Sequence, residues 1–243
     1  MSKKTTFILM LLCFPVFMNA QSYSKSKIKG NGNMITKSIT TASYDQIKVS
    51  GFFDVELVTG EEGKITLQAE ENLADYIEIK VENNTLKMSV EKGAYIVPSH
   101  GNKVFITVPF QSLTEVSLAG SGDINSKNTI TANEFKSTLS GSGDVHLEVN
   151  AKEITSEVSG SGDLTLKGKS DVFKCNVVGS GDLNAAALES ATVYAKVTGS
   201  GDCKVYCTNS LEARVIGSGD ITYSGDPKKK DTKVTGSGDI SKS

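Results

Sequence analysis

The sequence of 243 residues has no tryptophan, two histidines and four prolines, and each shortage narrows the functions that it can have. Aromatic residues make up 7% of the chain, which is little for the core of a compact enzyme. With 23 glycines against 4 prolines, the glycines punctuate ordered structure instead of marking a disordered linker. The formal net charge of -2 provides no attraction for nucleic acid or an anionic membrane surface, so no nucleic-acid partner is expected.

Motifs of common catalytic centres are also missing. His100 and His146 lie 46 residues apart, and no nucleophile triad can be assembled around them. The chain has no HExxH zinc motif, phosphate-binding loop or dinucleotide fingerprint. We therefore expect no cofactor and a protein that is not an enzyme. A carbohydrate-active β-helix enzyme is kept as an alternative because acidic residues are numerous, with 28 in the chain.

The first twenty residues have the pattern of an export signal. Two lysines precede the apolar run 7–17, and residues 18–20 resemble a cleavage site before Gln21. This run is shorter than the ~20 residues of a membrane-spanning helix, so no span is expected in the mature chain. We expect export to the periplasm, the outer-membrane surface or the extracellular space. An uncleaved anchor and lipidation at Cys13 are the alternatives.

Three cysteines follow this signal: Cys175, Cys203 and Cys207. In an oxidising compartment an odd number leaves one thiol unpaired, or all three serve as small buried fillers. None has zinc-ligand spacing with a histidine. Buried filler is the interpretation that the sequence favours.

The second half of the chain repeats one four-residue word, Gly-Ser-Gly-Asp, seven times. The word begins at Gly120, Gly141, Gly160, Gly179, Gly199, Gly217 and Gly236. The intervals of 21, 19, 19, 20, 18 and 19 residues indicate a repeat architecture.

Residues at even offsets from the word are apolar or small. The position two residues before it holds Leu118, Leu139, Val158, Val177, Val197, Val215 and Val234. The position four residues after it holds Ile124, Val145, Leu164, Leu183, Cys203, Ile221 and Ile240. The residues between are mostly polar, and alternation of period two predicts two or three short strands in each coil and no helix.

The period decides between repeat folds. About 19 residues are too few for a propeller blade, and no helix accompanies the strands as in leucine-rich repeats. The sequence predicts an all-β protein, a single-chain parallel β-helix (a solenoid) with ~19-residue coils, right-handed in the usual sense. An antiparallel up-and-down barrel is the alternative.

The parity of the columns directs both glycines of the word inward, where the chain bends over the core and a Cβ would collide or resist the required φ. These structural glycines are Gly120, Gly122, Gly141, Gly143, Gly160, Gly162, Gly179, Gly181, Gly199, Gly201, Gly217, Gly219, Gly236 and Gly238.

The aspartates of the word then point outward and form a ladder. They are Asp123, Asp144, Asp163, Asp182, Asp202, Asp220 and Asp239. Like charges at strand spacing repel, so their carboxylates accept hydrogen bonds from serine hydroxyls or turn amides, or they collect calcium. The hydrogen-bonded interpretation is favoured, and calcium is the alternative.

The rest of the chain falls into three parts before the repeat region 119–243. We expect a signal peptide at 1–20, a flexible leader at 21–43, of which residues 23 to about 43 form a leader strand or a flexible arm, and an N-terminal β capping part at 44–118 of the same domain. Within that cap, residues 47–57 look like a degenerate copy with Phe52-Phe53 inside the word. Strands are expected at 64–68, 77–81, 86–90 and 104–108, and one helical turn at 70–74. The lysines 228–230 favour protection of the sheet end over a polyanion site.

Three stretches carry a resemblance to a known family. They are Val-Ser-Gly-Phe-Phe-Asp-Val-Glu-Leu from Val49, Ala69-Glu70-Glu71-Asn72-Leu73, and Thr107-Val108-Pro109 before the first word. Together with the repeated word they resemble the putative auto-transporter adhesin, head GIN domain family over residues 43 to 240. The resemblance implies a β-helical fold, membership among exported proteins of Bacteroidetes-type bacteria and a location in the cell envelope.

The leading functional hypothesis is a non-catalytic, exported β-helix that acts as an adhesin-like interaction module. Its partner would be a glycan or a protein at the cell surface, and an oligomer is left open. The alternatives are a carbohydrate-active enzyme and a calcium-stabilised structural spacer.

Overall fold

Successive copies of the word stack in parallel register in a computed structural model that describes residues 27–243. Gly141 is the register partner of Gly120 on one side and of Gly160 on the other. The parallel β-helix predicted from the ~19-residue period is confirmed, and the antiparallel barrel is wrong. The predictions for residues 1–26, among them the signal peptide, lie outside the described residues.

Nineteen strands and one short helix make up the described chain. Up to residue 110 they are β1 Lys27–Lys29, β2 Met34–Thr40, β3 Gln46–Gly51, β4 Asp54–Thr59, β5 Lys64–Glu70, α1 Glu71–Ala74, β6 Ile77–Glu82, β7 Thr85–Val90, β8 Tyr95–Val97 and β9 Phe105–Phe110. Beyond it they are β10 Glu115–Gly120, β11 Asp123–Ser126, β12 Ile130–Gly141, β13 Asp144–Gly160, β14 Leu164–Gly179, β15 Leu183–Gly199, β16 Cys203–Gly217, β17 Ile221–Ser224, β18 Lys229–Gly236 and β19 Ile240–Lys242.

The middle coils differ from the two or three short strands that were expected. Each of β13 to β16 runs for 15 to 17 residues, from one word to the next. The chain turns the corners of the coil without leaving the sheet because each residue stays paired with its equivalent one coil away. Two register shifts between β15 and β16, at Ala185 to Glu189 and at Ser190 to Thr192, accommodate the difference between a 20-residue coil and the 18-residue coil that follows it.

The core lies inside the coils, where the predicted even columns meet. Leu139, Val158 and Val177 are at most 1% exposed, and they are register partners in successive coils. Stacked side chains of the same column thus fill the interior continuously, which makes neighbour contacts the source of stability.

The degenerate copy at 47–57 takes its place as the first coil. Strand β3 pairs with β10 in parallel, with Val49 opposite Leu118 and Gly51 opposite Gly120. On the other edge, β7 pairs with β3 and β9 pairs with β4. The segment between β4 and β10 therefore covers the N-terminal end of the stack, and it contains the four expected strands and the helical turn α1.

Of the two interpretations of the leader, the strand and not the flexible arm holds for residues 27–40. Strand β2 pairs antiparallel with β5 over seven residues, and β1 pairs in parallel with β8. Ile35 and Ile39 alternate with polar residues along β2, and their side chains pack against the core.

Residues 27–243 contain no helix with the length and apolar character of a membrane span.

The C-terminal end of the stack is built differently. Strand β18 pairs with β16 on one edge, and its other edge pairs with no described residue. Lys230 and Thr232 occupy columns that hold Leu211 and Ala213 one coil earlier, and all of β18 is exposed. Charged residues at an edge strand discourage pairing with another chain, as expected for the lysine run.

Candidate functional site

The glycines of the word are required by the neighbouring coil and not by the core. The first glycine of each copy has φ between +117° and +146°, which disfavours any side chain. A Cβ built on Gly179 or on Gly181 would come within 3.0 Å of backbone atoms one coil earlier. The predicted inward direction is therefore corrected, because the Cβ would point along the stack at the adjacent coil.

The serine and second glycine of the word complete this contact. The carbonyl oxygen of Gly120 accepts two N–H groups from the next coil, from Ser142 at 2.9 Å and Gly143 at 3.2 Å. The same double acceptance recurs at each later copy up to Gly217. Close backbone approach is thus converted into hydrogen bonds at every turn.

The aspartates form the expected ladder, with a hydrogen-bond partner that the sequence only partly suggested. The Oδ1 atom of each carboxylate accepts the backbone N–H of the aspartate in the next coil, at 2.7 to 3.2 Å in all six pairs. The first pair is Asp123 with Asp144, and the last is Asp220 with Asp239. Each of the six accepting carboxylates therefore links its own coil to the next one by a charged hydrogen bond.

The calcium alternative receives no support from this arrangement. Within residues 27–243, no three Asp, Glu, His or Cys side chains gather as a metal-ligand set. One oxygen of each ladder carboxylate from Asp123 to Asp220 is already directed at an amide of the protein. Calcium at the ladder stays a prediction that binding must test.

A groove lies on a different part of the surface, the outer face of β10 and of β12 to β16. Two adjoining depressions of about 610 and 670 Å³ share Glu153 and Thr155 and run across successive coils. At strand spacing, the six coils from β10 to β16 give the groove a length of roughly 24 Å along the solenoid axis. The sequence placed polar residues on the outer faces but did not predict this groove.

Small inward residues lie beneath the groove. The column four residues before the word contains Ser137, Ser156, Cys175 and Ala195, and all are at most 5% exposed. Ser137 and Ser156 satisfy each other with a 2.7 Å hydrogen bond between their hydroxyls. Short inward side chains need less room than leucine or valine, so this wall can lie closer to the axis beneath the depressions.

The floor of the groove is lined by two outward columns of polar side chains. The column five residues before the word holds Lys136, Thr155, Lys174, Tyr194 and Glu212. The column three residues before it holds Thr138, Glu157, Asn176, Lys196 and Arg214. Stacked in register, they form an ordered surface with little freedom of the backbone.

Most charges in the groove are paired within it. Lys174 contacts Glu153, and Lys136 lies 3.4 Å from Glu157. Arg214 lies 3.4 Å from Glu212 and also forms an ion pair with Asp231 on β18, outside the groove. The hydrogen bond with Glu153 raises the pKa of Lys174, which keeps this lysine charged. The groove therefore presents hydrogen-bonding groups with almost no net charge.

Three side chains in the groove keep free binding capacity. The ring of Tyr194 is exposed, with 44% of the residue accessible. The Oδ1 atom of Asn176 is buried and has no hydrogen-bond partner. Lys196, the register partner of Asn176, forms no ion pair with any described residue. Lys196 lies about 5 Å from Asn176 across the strands and about 7 Å from Tyr194 along β15, so Asn176 and Tyr194 are diagonal neighbours about 8 Å apart.

One sequence signal was available for this site. The small residues four positions before the word are visible in the sequence, and the groove lies over this column. Tyr194 is the one aromatic residue in the outward column that Lys174 and Glu212 share with it. Which atoms stay unpaired depends on side-chain packing, which periodicity does not give.

Comparison with solved structures places the fold among known proteins. A protein from Bacteroides fragilis described as a putative adhesin has a TM-score of 0.80 at 24% identity, over 89% of this chain and 100% of that chain. A putative lipid binding protein from Parabacteroides distasonis gives 0.75 at 28% identity, over 90% and 100%. A putative adhesin from the same species gives 0.73 at 25% identity, over 90% and 100%.

The sequence itself matches one family. A search among curated proteins finds no match. The family described as putative auto-transporter adhesin, head GIN domain, matches residues 43–227, which ends before the last word and so short of the expected residue 240. This chain belongs to that family.

Proposed function

We propose that the chain is an exported, non-catalytic, adhesin-like module that binds a neutral glycan along the groove. The observation that carries the proposal is the unpartnered Oδ1 atom of Asn176 beside the exposed ring of Tyr194. The family and the adhesin descriptions of similar structures support an interaction role at the cell surface.

The charge distribution favours a neutral ligand over a polyanion. Lys174, Lys196 and Arg214 line the same depression as Glu153, Glu157 and Glu212. A polyanion would meet three carboxylates and would have to displace ion pairs that are already formed. Hydroxyl groups of a neutral sugar can donate to the carboxylates and accept from the ammonium groups without displacing either.

The two uncharged groups of the groove, the ring of Tyr194 and the amide of Asn176, favour a sugar as the neutral ligand. An aromatic ring offers a flat apolar platform with a polar edge, which suits a ligand that has both kinds of surface. The buried amide oxygen of Asn176 has no partner, which costs free energy, and a turn of this amide towards the groove would bring the oxygen within reach of a donor. A sugar ring stacked on Tyr194 would bring a hydroxyl towards Asn176 on the neighbouring strand. The length of the groove suits an oligosaccharide lying along the solenoid axis.

Binding of the purified chain to an array of neutral oligosaccharides, followed by calorimetry with the strongest binder, tests this proposal. Tyr194→Ala and Asn176→Ala should each weaken binding by about tenfold, which corresponds to ~1.4 kcal/mol. Tyr206→Ala is the matched control. It removes a partly exposed tyrosine of β16 that does not line the groove, and it should leave the affinity unchanged. Absence of binding at millimolar sugar, or equal losses in all three variants, would refute the proposal.

Two further conditions separate ligand classes. The affinity for a neutral glycan should change little between low and high salt, whereas binding of a polyanion falls steeply. Vesicles of zwitterionic and anionic lipid address the lipid-binding description of the similar Parabacteroides protein. Vesicle binding that Tyr194→Ala abolishes, without any glycan binding, would replace the glycan by a lipid.

A carbohydrate-active enzyme is the second candidate because two acids of the groove are neighbours. Glu134 and Glu153 are register partners in successive coils, which places their backbones about 4.8 Å apart. Retaining glycosidases hold two carboxyl groups at ~5 to 5.5 Å. Against catalysis, Glu134 is exposed, whereas a general acid is usually shielded from water. Release of reducing ends that Glu134→Gln and Glu153→Gln abolish would establish the enzyme.

A further inference from the structure

Two of the three cysteines among residues 27–243 meet inside the solenoid. The Sγ atoms of Cys175 and Cys203 lie 3.6 Å apart, and the residues are 5% and 0% exposed. Cys175 stands four residues before one word, and Cys203 stands four residues after the next. The two positions therefore belong to successive coils and to opposite sides of the bend that the word makes.

We propose that Cys175 and Cys203 form a disulfide bond that joins these two coils when the protein folds in an oxidising environment. Their sulfur atoms are in van der Waals contact and are about 1.6 Å further apart than in a disulfide. Rotation about χ1 of the two side chains is the movement that closes this gap. Their nearest stacking neighbours are Ala195 and Leu183, and the small Ala195 leaves room beside Cys175.

The thiol of the third cysteine, Cys207, contacts backbone and not the other two cysteines. The thiol of Cys207 lies 3.2 Å from the carbonyl oxygen of Ser210, to which it can donate a hydrogen bond. Burial raises the pKa of this thiol, against the effect of nearby backbone groups, so its reactive thiolate is scarce. The odd number of cysteines is thereby resolved into one bonded pair and one buried thiol.

The chemistry is thiol–disulfide exchange with an external disulfide, such as glutathione disulfide or a disulfide oxidoreductase. The thiolate of one cysteine attacks that disulfide, forms a mixed disulfide and releases one external thiolate. The thiolate of the second cysteine then attacks the protein sulfur, closes the bond and releases the second external thiolate. Two protein thiols are oxidised, one external disulfide is reduced to two thiols, and the two protons go to the released thiolates.

Burial decides when this exchange takes place. The folded coils exclude an external disulfide from both sulfur atoms. Contact with Cys175 and burial raise the pKa of the Cys203 thiol, which keeps it protonated in the folded state. The bond is therefore made before the coils close over it, and once made it is protected from reductants. It encloses two words, and it restricts the unfolded chain as a cross-link over 28 residues does.

Refolding of the full chain from denaturant tests the proposal. One sample refolds with reduced and oxidised glutathione, the other with excess reductant, and free thiols are then alkylated under denaturing conditions and mapped by mass spectrometry. In the glutathione sample we expect Cys175 and Cys203 in one linked peptide pair and Cys207 alkylated. The linked protein should melt several degrees higher than the reduced one.

Two variants serve as controls. Cys175→Ala introduces an alanine into a column that already contains Ala195 and Ala213, so the fold should tolerate it. It should leave Cys203 alkylated and remove the difference in melting temperature between the two samples. Cys207→Ala should keep both the linked pair and the difference. Alkylation of Cys175 and Cys203 in the glutathione sample of a folded protein would overturn the proposal, as would a bond that includes Cys207.

Discussion

The carboxylate of Asp202 accepts the backbone N–H of Asp220 at 2.9 Å, and the same bond links every pair of successive copies from Asp123 to Asp239. A ladder of like charges is thereby turned into a ladder of hydrogen bonds. The word is first a device that fixes coil spacing, and the proposed ligand site is the groove on another face.

Asp202→Ala should lower the free energy of unfolding by about 1 kcal/mol, because it removes the acceptor of an exposed charged hydrogen bond. Asp202→Asn keeps an oxygen acceptor and removes one charge from the column, so it should cost less than half as much. Urea unfolding at neutral pH measures both. If the asparagine variant lost as much as the alanine variant, the negative charge and not the acceptor would be the contribution of this residue.

Gly181→Ala should destabilise the protein by more than about 3 kcal/mol or prevent folding, since its Cβ would overlap the backbone of Gly162. Gly93→Ala is the matched control: its φ is +96°, yet nothing lies within 4 Å of the added Cβ. The control should cost only the strain of a positive φ, about 1 kcal/mol. Equal unfolding midpoints for the two variants would contradict the steric account of the word.

Glu70 should make the N-terminal cap sensitive to acid. Burial raises the pKa of its carboxyl, but hydrogen bonds from Ser99 and from the amide of Gly32 outweigh burial and lower it below the ordinary 4.5. A carboxyl with a lowered pKa stabilises the fold above the unfolded value, and this contribution disappears as pH falls through the folded value.

Glu70→Gln should therefore cost about 1 to 3 kcal/mol at pH 7, where a charged acceptor of three hydrogen bonds is lost. The difference from the wild type should shrink as pH falls below 4.5. Urea unfolding of both proteins from pH 7 to pH 3 gives this comparison. A difference that is constant with pH would show that the charge of Glu70 contributes nothing.

Calcium should have no effect on the melting temperature. Each ladder carboxylate from Asp123 to Asp220 already holds an amide, and the described residues offer no gathered ligand set. Melting with a chelator and with millimolar calcium should agree within about 1 °C. A rise of several degrees that grows with calcium concentration, as mass action requires, would establish the calcium-stabilised spacer instead.

The sequence predicts the solenoid well because its information is local and repeated. The offset of Leu118 and Val158 from the word predicts a buried column, and Gly51 is recognisable as the start of a degenerate copy. For the leader the sequence left a strand and a flexible arm open, because Ile35 and Ile39 are too few to decide for a strand that only β5 completes.

The groove and the contact between Cys175 and Cys203 could not be predicted from the sequence, for a different reason. Cys175 and Cys203 belong to columns on opposite sides of the bend, and their contact depends on the width of the interior. The unpaired oxygen of Asn176 depends on how its neighbours pair among themselves. Periodicity gives the register of a column but not the distances between columns.

The affinity of two variants for the neutral oligosaccharide that binds best tests the central claim most directly. Calorimetry should find that Asp202→Asn binds like the wild type, because the word holds the coils and does not touch the ligand. Tyr194→Ala should bind about tenfold more weakly. The opposite result, with affinity lost in Asp202→Asn and kept in Tyr194→Ala, would place the ligand on the aspartate ladder and contradict the account.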